Sequence, residues 1–251
     1  MAGSDQQQAA YYNAYWSGAD GWKPTDRLDE ELRRWLTPLI RRGDRMLDVG
    51  CGDGSRYAEY LLDAGVELHG TDISDVAVKS ANQHGLRAVM ADLGQPLPFS
   101  HGFFDSIVCL EVFEHLLNPE YTAAEICRVL RKGGKLLVSV PNAAAWRNRM
   151  ELLVLGRFNP TGSPQTSRRF PWRDPHIRFF NNRSLGAMLS EVGFAIDKQG
   201  GLDVEFLSCA PGLRRAMSWR WMHPARVVTR QLGRRFYSLL AGRCAVLATR
   251  L

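Results

Sequence analysis

Residues 45–55 read RMLDVGCGDGS. Its first half is a short apolar run, which predicts a buried strand, and its second half is a glycine-rich turn into a helix through 56–64. Gly50, Gly52 and Gly54 let the backbone approach a ligand closely, and the N-terminus of the next helix favours negative charge. A tight turn without a ligand would use the same glycines, so the turn alone does not decide function.

Strands and helices alternate over about a hundred residues from this turn onward. The expected strands are 45–49, 66–74, 86–93, 105–112 and 135–142, and the expected helices between them are 56–64, 75–84 and 121–130. A helix at 185–192 and two further strands, GFAIDKQG and CAVLATR, follow toward the end. This alternation predicts an α/β fold with a mostly parallel sheet and helices on both faces.

Acidic residues follow several of these strands, at the sheet edge where ligands bind. Asp72 ends the second strand, 18 residues after Gly54, where a carboxylate can bind both ribose hydroxyls. The GxGxG spacing differs from GxGxxG, which argues against a dinucleotide pyrophosphate, and Asp92 suits an adenine amino group. With Asp48 and Glu111 nearby, the acids suit a cationic ligand such as a sulfonium better than a polyphosphate.

Together these segments resemble the class I S-adenosylmethionine-dependent methyltransferases. MLDVGCGDG, GTDIS, ADL, DSIVCLEVFEH and LRKGGKLLVSVPN occur in the family's order across residues 45–142. The resemblance implies a Rossmann-like sheet of seven strands whose last two form an antiparallel hairpin. Within this class the chain resembles ubiquinone-biosynthesis O-methyltransferases, proteins related to methionine-biosynthesis protein W, and methyltransferases of glycan clusters.

The same resemblance implies S-adenosyl-L-methionine as cofactor and assigns residues to it. These are Asp48, Gly50, Cys51 and Gly52 at the methionine part, Asp72 with its neighbour Ile73 at the ribose, Asp92 with the Leu93 backbone at the adenine, and Glu111 near the transferring methyl. Tyr11, Tyr15 and Trp16 could form part of a lid, with Tyr15 on the cofactor. A packed helix without that role explains YYNAYW equally well.

The segment EVFEH, residues 111–115, leaves three interpretations open. If it enters a helix, Glu111, Glu114 and His115 share one face and could hold a divalent metal ion. That arrangement resembles the metal-binding segments of ubiquinone-biosynthesis O-methyltransferases and of small-RNA 3′-end 2′-O-methyltransferases; the latter add a distant histidine, here His176. Alternatively His115 is a general base with Glu111 beside it, or Glu114 and His115 only cap the strand.

One methyltransferase domain is expected over residues 1–251. It would consist of an N-terminal helical lid at 1–44, a cofactor-binding core at 45–142, and substrate-side or cover insertions at 143–180 and 207–240. The first insertion is expected to be irregular. Its Asp174 and His176 before an RFF run resemble glycan-cluster methyltransferases, which suggests a sugar or glycolipid acceptor. His176 could equally anchor the insertion.

The net charge of +6 arises near the end of the sequence, because nine arginines and no acids follow Glu205. An amphipathic helix is expected there, with Val228, Leu232, Phe236, Leu239 and Leu240 on one face and Arg226, Arg230 and Arg234 on another. Such a helix suits an anionic membrane surface or an amphipathic substrate. It would equally serve as a cover over the active site. Nucleic acid is not expected as a partner, since no RNA- or DNA-binding module is present.

The sequence shows no signal-peptide pattern, and no apolar run approaches the roughly 20 residues of a membrane span. Its five cysteines lack CxxC spacing, as expected of reduced core residues in a cytoplasmic protein. Peripheral contact of this protein with a membrane is also possible on the sequence. The expected activity is O-methylation of a hydroxyl on a small, sugar or lipid-linked metabolite. The alternatives are metal-assisted RNA ribose 2′-O-methylation and a cofactor-binding regulatory partner of a biosynthetic enzyme.

Overall fold

The structure, a computed structural model, describes residues 2–18, 28–156, 174–204 and 236–251. The strands are β1 Arg45–Val49, β2 Glu67–Asp72, β3 Arg87–Met90, β4 Phe104–Leu110, β5 Leu130–Pro141, β6 Phe194–Val204 and β7 Ala241–Arg250. The helices are α1 Ala2–Ser17, α2 Glu30–Leu36, α3 Ala58–Asp63, α4 Asp75–Gln83, α5 Pro119–Val129, α6 Trp146–Leu155, α7 Asn182–Glu191 and α8 Tyr237–Leu240, with 3₁₀ turns at Thr37–Leu39 and Phe113–His115.

All seven strands form one sheet in the order β3-β2-β1-β4-β5-β7-β6. Strands β1 to β5 pair in parallel, whereas β7 runs antiparallel to both β5 and β6. The prediction of a mostly parallel Rossmann-like sheet with an antiparallel last hairpin is therefore confirmed. Its carboxyl-terminal edge, where β1, β2 and β4 end, collects the acids that the sequence singled out.

Both faces of the sheet are covered, because neighbouring residues of the central strands enter different cores. In β4, Ile107 and Cys109 pack on the side of α5 and α7, while Val108 and Leu110 pack on the side of α2 and α3. An unbroken apolar run is what a strand buried on both faces requires. Helix α2 and the 3₁₀ turn that follows it also bury an apolar face, which consists of Leu32, Trp35, Leu36 and Leu39.

Two boundaries differ from the expectation. Helix α5 ends at Val129 rather than at residue 130, and β5 begins at Leu130 rather than at residue 135, because Leu130 is fully buried and already pairs with Phe104 of β4. Gly133, at φ +70°, lies inside β5 where the pairing register with β4 shifts. The first insertion is not wholly irregular either, since WRNRMELLVL contains no glycine or proline and forms α6, which ends at left-handed Gly156.

The basic amphipathic helix expected within 207–240 lies largely outside the described residues. Of its apolar face, Phe236 is half exposed and Leu240 is buried at the end of α8. In the part of the chain that the structure describes, no helix is both long enough and apolar enough to cross a membrane. The described cysteines are free thiols: Cys51, Cys109, Cys127 and Cys244.

Truncation of a valine tests the two-sided core. Val138 in β5 is fully buried, whereas Val89 in β3 is 40% exposed. We expect Val138→Ala to lower the free energy of unfolding by about 2–3 kcal/mol, because it removes buried methyl groups and leaves a cavity. The matched Val89→Ala should cost under about 1 kcal/mol. Urea denaturation of both variants measures this, and equal losses would contradict the assignment of the core.

Candidate cofactor and metal-binding site

The glycine turn after β1 adopts a backbone that suits only glycine at three positions. Gly50, Gly52 and Gly54 have φ of +72°, +54° and +75°, a region that side chains disfavour. The N–H groups of Gly50 and Cys51 both donate to the carbonyl of Thr71 in β2, at 2.8 and 2.9 Å. The turn is thus held against the second strand, and close packing as well as conformation requires its glycines.

Asp72 connects this turn to the next helix. Its Oδ2 accepts a hydrogen bond from the Gly52 N–H at 3.0 Å, and its Oδ1 accepts one from the Ser74 N–H at 2.9 Å. The side chain is 8% exposed, and burial raises its pKa while the two donors oppose that rise. The carboxylate is therefore fixed at the carboxyl end of β2, where the sequence placed the ribose-binding acid.

Asp48 is the most buried acid of the glycine turn region, with an exposed fraction of 4%. Burial raises the pKa of its carboxyl to about 7, although a hydrogen bond with the Tyr57 hydroxyl and the nearby Arg56 guanidinium act in the opposite direction. The free protein consequently holds this carboxyl partly protonated at neutral pH. A cationic ligand nearby would favour its charged form.

The residues expected to contact the adenine lie after β3. Asp92 is partly buried, and its Oδ1 accepts from the Gly94 N–H at 2.8 Å. The Leu93 carbonyl accepts from the Thr122 hydroxyl at 2.9 Å, which ties this loop to α5. Ile73 is partly buried between Asp72 and Ser74. These residues therefore lie beyond the ends of β2 and β3, in positions compatible with the expected roles.

Glu111 turns the chain as it leaves β4. Its φ of +59° is the only positive value at a non-glycine residue among the described residues. Its N–H donates to the Ser139 carbonyl at 2.9 Å, and its Oε1 accepts from the Ser139 hydroxyl at 2.6 Å. A left-handed non-glycine residue is strained and is often found at a functional site. Here the strain is stabilised by the contact with β5.

Three of the side chains named as possible metal ligands lie close together in the structure. One ligand atom each of Glu114, His115 and His176 lies within 4.8 Å of the other two. Glu114 Oε1 is 3.7 Å from His115 Nε2 and 3.9 Å from His176 Nε2. Glu114 is 1% exposed, and neither of its carboxylate oxygens has a hydrogen-bond partner in the described part of the chain. Burial and the nearby Glu111 raise its pKa well above the usual range.

Backbone contacts of the segment after residue 173 create this convergence. The N–H groups of Ile177 and Arg178 donate to the Glu114 carbonyl at 2.9 and 3.1 Å, which holds His176 beside Glu114. The His115 Nδ1 lies 3.3 Å from the Pro175 carbonyl, an acceptor, so that nitrogen carries the proton and Nε2 keeps its lone pair.

Asp174 lies behind the second histidine. Its Oδ1 is 2.9 Å from His176 Nδ1. The same Oδ1 accepts a hydrogen bond from the His176 backbone N–H at 2.9 Å, which helps to hold this residue in place. The ring contact through Nδ1 is short but does not have hydrogen-bond geometry, and His176 Nε2 lies on the side of Glu114. The sequence had associated Asp174 only with the family resemblance of this segment.

The helix that would place Glu111, Glu114 and His115 on one face does not form. Residues 113–115 make a single 3₁₀ turn that ends at the extended Leu116. Left-handed Glu111 sends the chain into that turn, so Glu111 points to Ser139 and is not one of the three clustered residues. Glu114 and His115 meet His176 through a long-range contact instead of through helical spacing.

Helix α1 covers this edge of the sheet. A Cβ on Gly52 would collide with the Trp16 ring, and the Ser74 hydroxyl donates to Asn13 Oδ1 at 2.6 Å. The Tyr12 ring packs edge-on against His115 with centroids 6.0 Å apart.

Among the aromatic residues of α1, Tyr15 packs against the Trp16 ring at 5.2 Å, and Trp16 itself lies over the turn. The sequence had pointed to Tyr15 as the contact residue and had not singled out Tyr12 or Asn13. No local pattern marks them, because their partners lie far along the chain.

Comparison with known proteins agrees with this geometry. A family model described as "Methyltransferase domain" matches residues 24–199. The ubiquinone biosynthesis O-methyltransferase of Xanthomonas euvesicatoria pv. vesicatoria (strain 85-10) is 26% identical over 77% of this chain and 81% of its own. That of Thiobacillus denitrificans (strain ATCC 25259 / T1) is 30% identical over 75% and 81%. A SAM-dependent methyltransferase structure from Archaeoglobus fulgidus aligns with a TM-score of 0.59 at 17% identity, over 88% of this chain and 92% of that chain.

The raised pKa of Asp48 makes the stability of the free protein depend on pH. Because the folded state binds this proton more tightly than the unfolded state, the contribution of Asp48 to stability falls as pH rises toward the folded pKa of about 7. We therefore compare the free energy of unfolding of Asp48→Asn with that of wild type. As pH rises from roughly 5 to 7, this difference should shift in favour of Asp48→Asn by up to about 1.4 kcal/mol per pH unit, and above pH 7 it should stay constant.

Urea denaturation at several pH values measures that difference. The exposed Asp63→Asn serves as control and should show a flat difference. A flat difference for Asp48→Asn as well would contradict the buried, proton-binding state of Asp48.

Proposed function

This chain belongs to the S-adenosylmethionine-dependent methyltransferases, and from that premise we propose that it methylates a hydroxyl oxygen of a small molecule. The observation that carries the proposal is the convergence of Glu114, His115 and His176 beyond the end of β4. Relatives named ubiquinone biosynthesis O-methyltransferase, which match about three quarters of the chain, support an oxygen acceptor. Quinol-type hydroxyls are therefore the first acceptors to test.

The acids of the glycine turn region are proposed to hold the cofactor. S-adenosylmethionine, when bound, supplies an electrophilic methyl group on a sulfonium, and methylation of oxygen also requires the acceptor hydroxyl to lose its proton. Asp48, Asp72 and Glu111 are proposed to offset the positive charge, since anionic groups at this edge favour a cation. Helix α1, with Trp16 over the turn, would exclude water from the same region.

The three-residue cluster fits a divalent cation. Glu114 offers a buried carboxylate whose oxygens lack hydrogen-bond partners among the described residues, and both histidines direct Nε2 toward it. An unpartnered buried carboxylate is costly unless a cation or a proton neutralises it. One oxygen and two imidazole nitrogens suit a borderline divalent ion. Such an ion would supply Lewis acidity that makes an acceptor hydroxyl easier to deprotonate.

The ligand role of His115 is favoured over a role as general base. Burial, and secondarily the neighbouring His176, lower the pKa of its imidazole to about 4. That is about three units below neutral pH, and a general base works best with a pKa near the operating pH. A neutral imidazole with a free Nε2 is the form that binds metals. Geometry and charge state therefore agree on the same assignment.

Chelation tests the proposal. With radiolabelled S-adenosylmethionine and a catechol, its amine analogue and its thiol analogue, we expect label only in the hydroxyl product. Activity should fall with EDTA and return on addition of Mn²⁺ or Mg²⁺. Glu114→Gln should lower kcat by at least about 100-fold, equal to about 2.7 kcal/mol, and should weaken Mn²⁺ binding measured by electron paramagnetic resonance.

The matched control is Glu120→Gln, an exposed glutamate in the first turn of α5. It should retain both activity and Mn²⁺ binding. Full turnover in EDTA together with an active Glu114→Gln would refute the metal assignment while leaving O-methylation intact. Transfer of label to the amine or thiol alone would refute O-methylation itself.

A further inference from the structure

Asn142 lies where the chain leaves the fifth strand, and it is one of the most deeply buried polar residues that the structure describes. Its exposed fraction is 1%, and it directly follows Pro141, the last residue of β5. A buried primary amide is costly unless its donors and its acceptor are paired. The hydrogen bonds of this side chain therefore identify the segments that it holds together.

The side-chain amide joins the turn after β5 to the start of β7. Its Nδ2 donates to the Ser238 carbonyl at 3.1 Å and to the Ala241 carbonyl at 3.0 Å, which lie 96 and 99 positions further along the chain. Its Oδ1 accepts from the Ala144 N–H at 3.1 Å. Both amide hydrogens and the oxygen are thus used in contacts with backbone groups.

The backbone of Asn142 extends the same network. Its N–H donates to the Gly242 carbonyl at 2.9 Å, and its carbonyl accepts from the Ala145 N–H at 3.1 Å and from the Asn148 side chain at 3.0 Å. A buried polar network makes a segment rigid when its members are satisfied. The turn at residues 142–145 is therefore closed on itself and anchored to the sheet through β7.

This turn supports the segment that bears His176. The Ala143 N–H donates to the Phe180 carbonyl at 2.9 Å, and the backbones of Asn142 and Phe180 form an isolated parallel bridge. The other end of the segment is held by two backbone N–H groups that donate to the Glu114 carbonyl. Since His176 directly precedes those two donors, its place beside Glu114 depends on both attachments.

We propose that Asn142 is a positioning residue for the metal-binding cluster: its amide holds the turn after β5, and that turn holds His176 against Glu114. Asn142 is not itself a ligand, because backbone partners occupy its side-chain atoms. The bound cation rests on the proposed function, whereas the placement of the His176 segment rests on these hydrogen bonds alone. Loss of a residue that orients a metal ligand weakens metal binding about 10- to 100-fold.

Replacement of the amide by a carboxylate separates orientation from packing. Asn142→Asp keeps the shape and the acceptor but removes both donors, which leaves the Ser238 and Ala241 carbonyls unpaired. We expect the dissociation constant of Mn²⁺, measured by electron paramagnetic resonance on the full chain, to rise at least about tenfold. Hydrogen–deuterium exchange over residues 174–180 should also become at least about tenfold faster. Exchange over the glycine turn, residues 45–55, should stay at the wild-type rate.

The matched control is Asn82→Asp. The Asn82 amide likewise donates to two carbonyls, those of Val78 and Ala88, and accepts from the Ala88 N–H, but it is exposed beside β3. This variant should keep wild-type Mn²⁺ affinity and wild-type exchange over residues 174–180. If Asn142→Asp does not fold, Asn142→Ala removes the same donors without burying a charge, and the same changes are expected of it.

Wild-type exchange over residues 174–180 in a folded Asn142 variant would overturn the inference, and so would an unchanged Mn²⁺ affinity. Faster exchange over the whole sheet would overturn it as well, because Asn142 would then support the entire fold and not this segment. If the wild-type chain binds no Mn²⁺ while exchange over residues 174–180 changes as predicted, the metal assignment of the proposed function fails and the placement of the His176 segment by Asn142 stands.

Discussion

The carboxylate of Asp72 is the contact on which the site depends. It accepts one hydrogen bond from the glycine turn and one from the first residues before α4, so a single side chain fixes two loops relative to β2. Two N–H donors make a buried carboxylate tolerable, although burial still raises its pKa. Asp48 is also buried nearby, with its pKa raised, and a cationic ligand would favour its charged form.

Two glutamates after β4 make different contacts. Left-handed Glu111 costs roughly 1–2 kcal/mol of backbone energy, which its two contacts with Ser139 help to offset. That turn directs the chain into the 3₁₀ turn bearing Glu114, which then faces His176. Glu111 therefore contacts β5, whereas Glu114 belongs to the histidine cluster.

The sheet could be predicted from the sequence because its signals are local. The end of β1 is marked by the apolar run before Gly50, and the end of β2 is marked by the acid at Asp72, so each signal lies within a few residues of the strand end that it defines. The histidine cluster could be predicted only through resemblance, since His115 and the Pro175 carbonyl it contacts are 60 positions apart. The geometry of the cluster also depends on the left-handed backbone of one residue, Glu111, and a pattern of helical spacing does not predict that conformation. The exposed helix α6 was missed because composition had pointed to an irregular segment.

We propose that Asp72 and the glycine turn bind S-adenosylmethionine, and isothermal titration calorimetry with Asp72→Ala tests this. Loss of charge-assisted hydrogen bonds and of the anchor for Gly52 should weaken affinity by at least about 100-fold. The exposed Asp63→Ala should bind like wild type. Unchanged affinity in a folded Asp72→Ala protein would mean that the cofactor binds elsewhere.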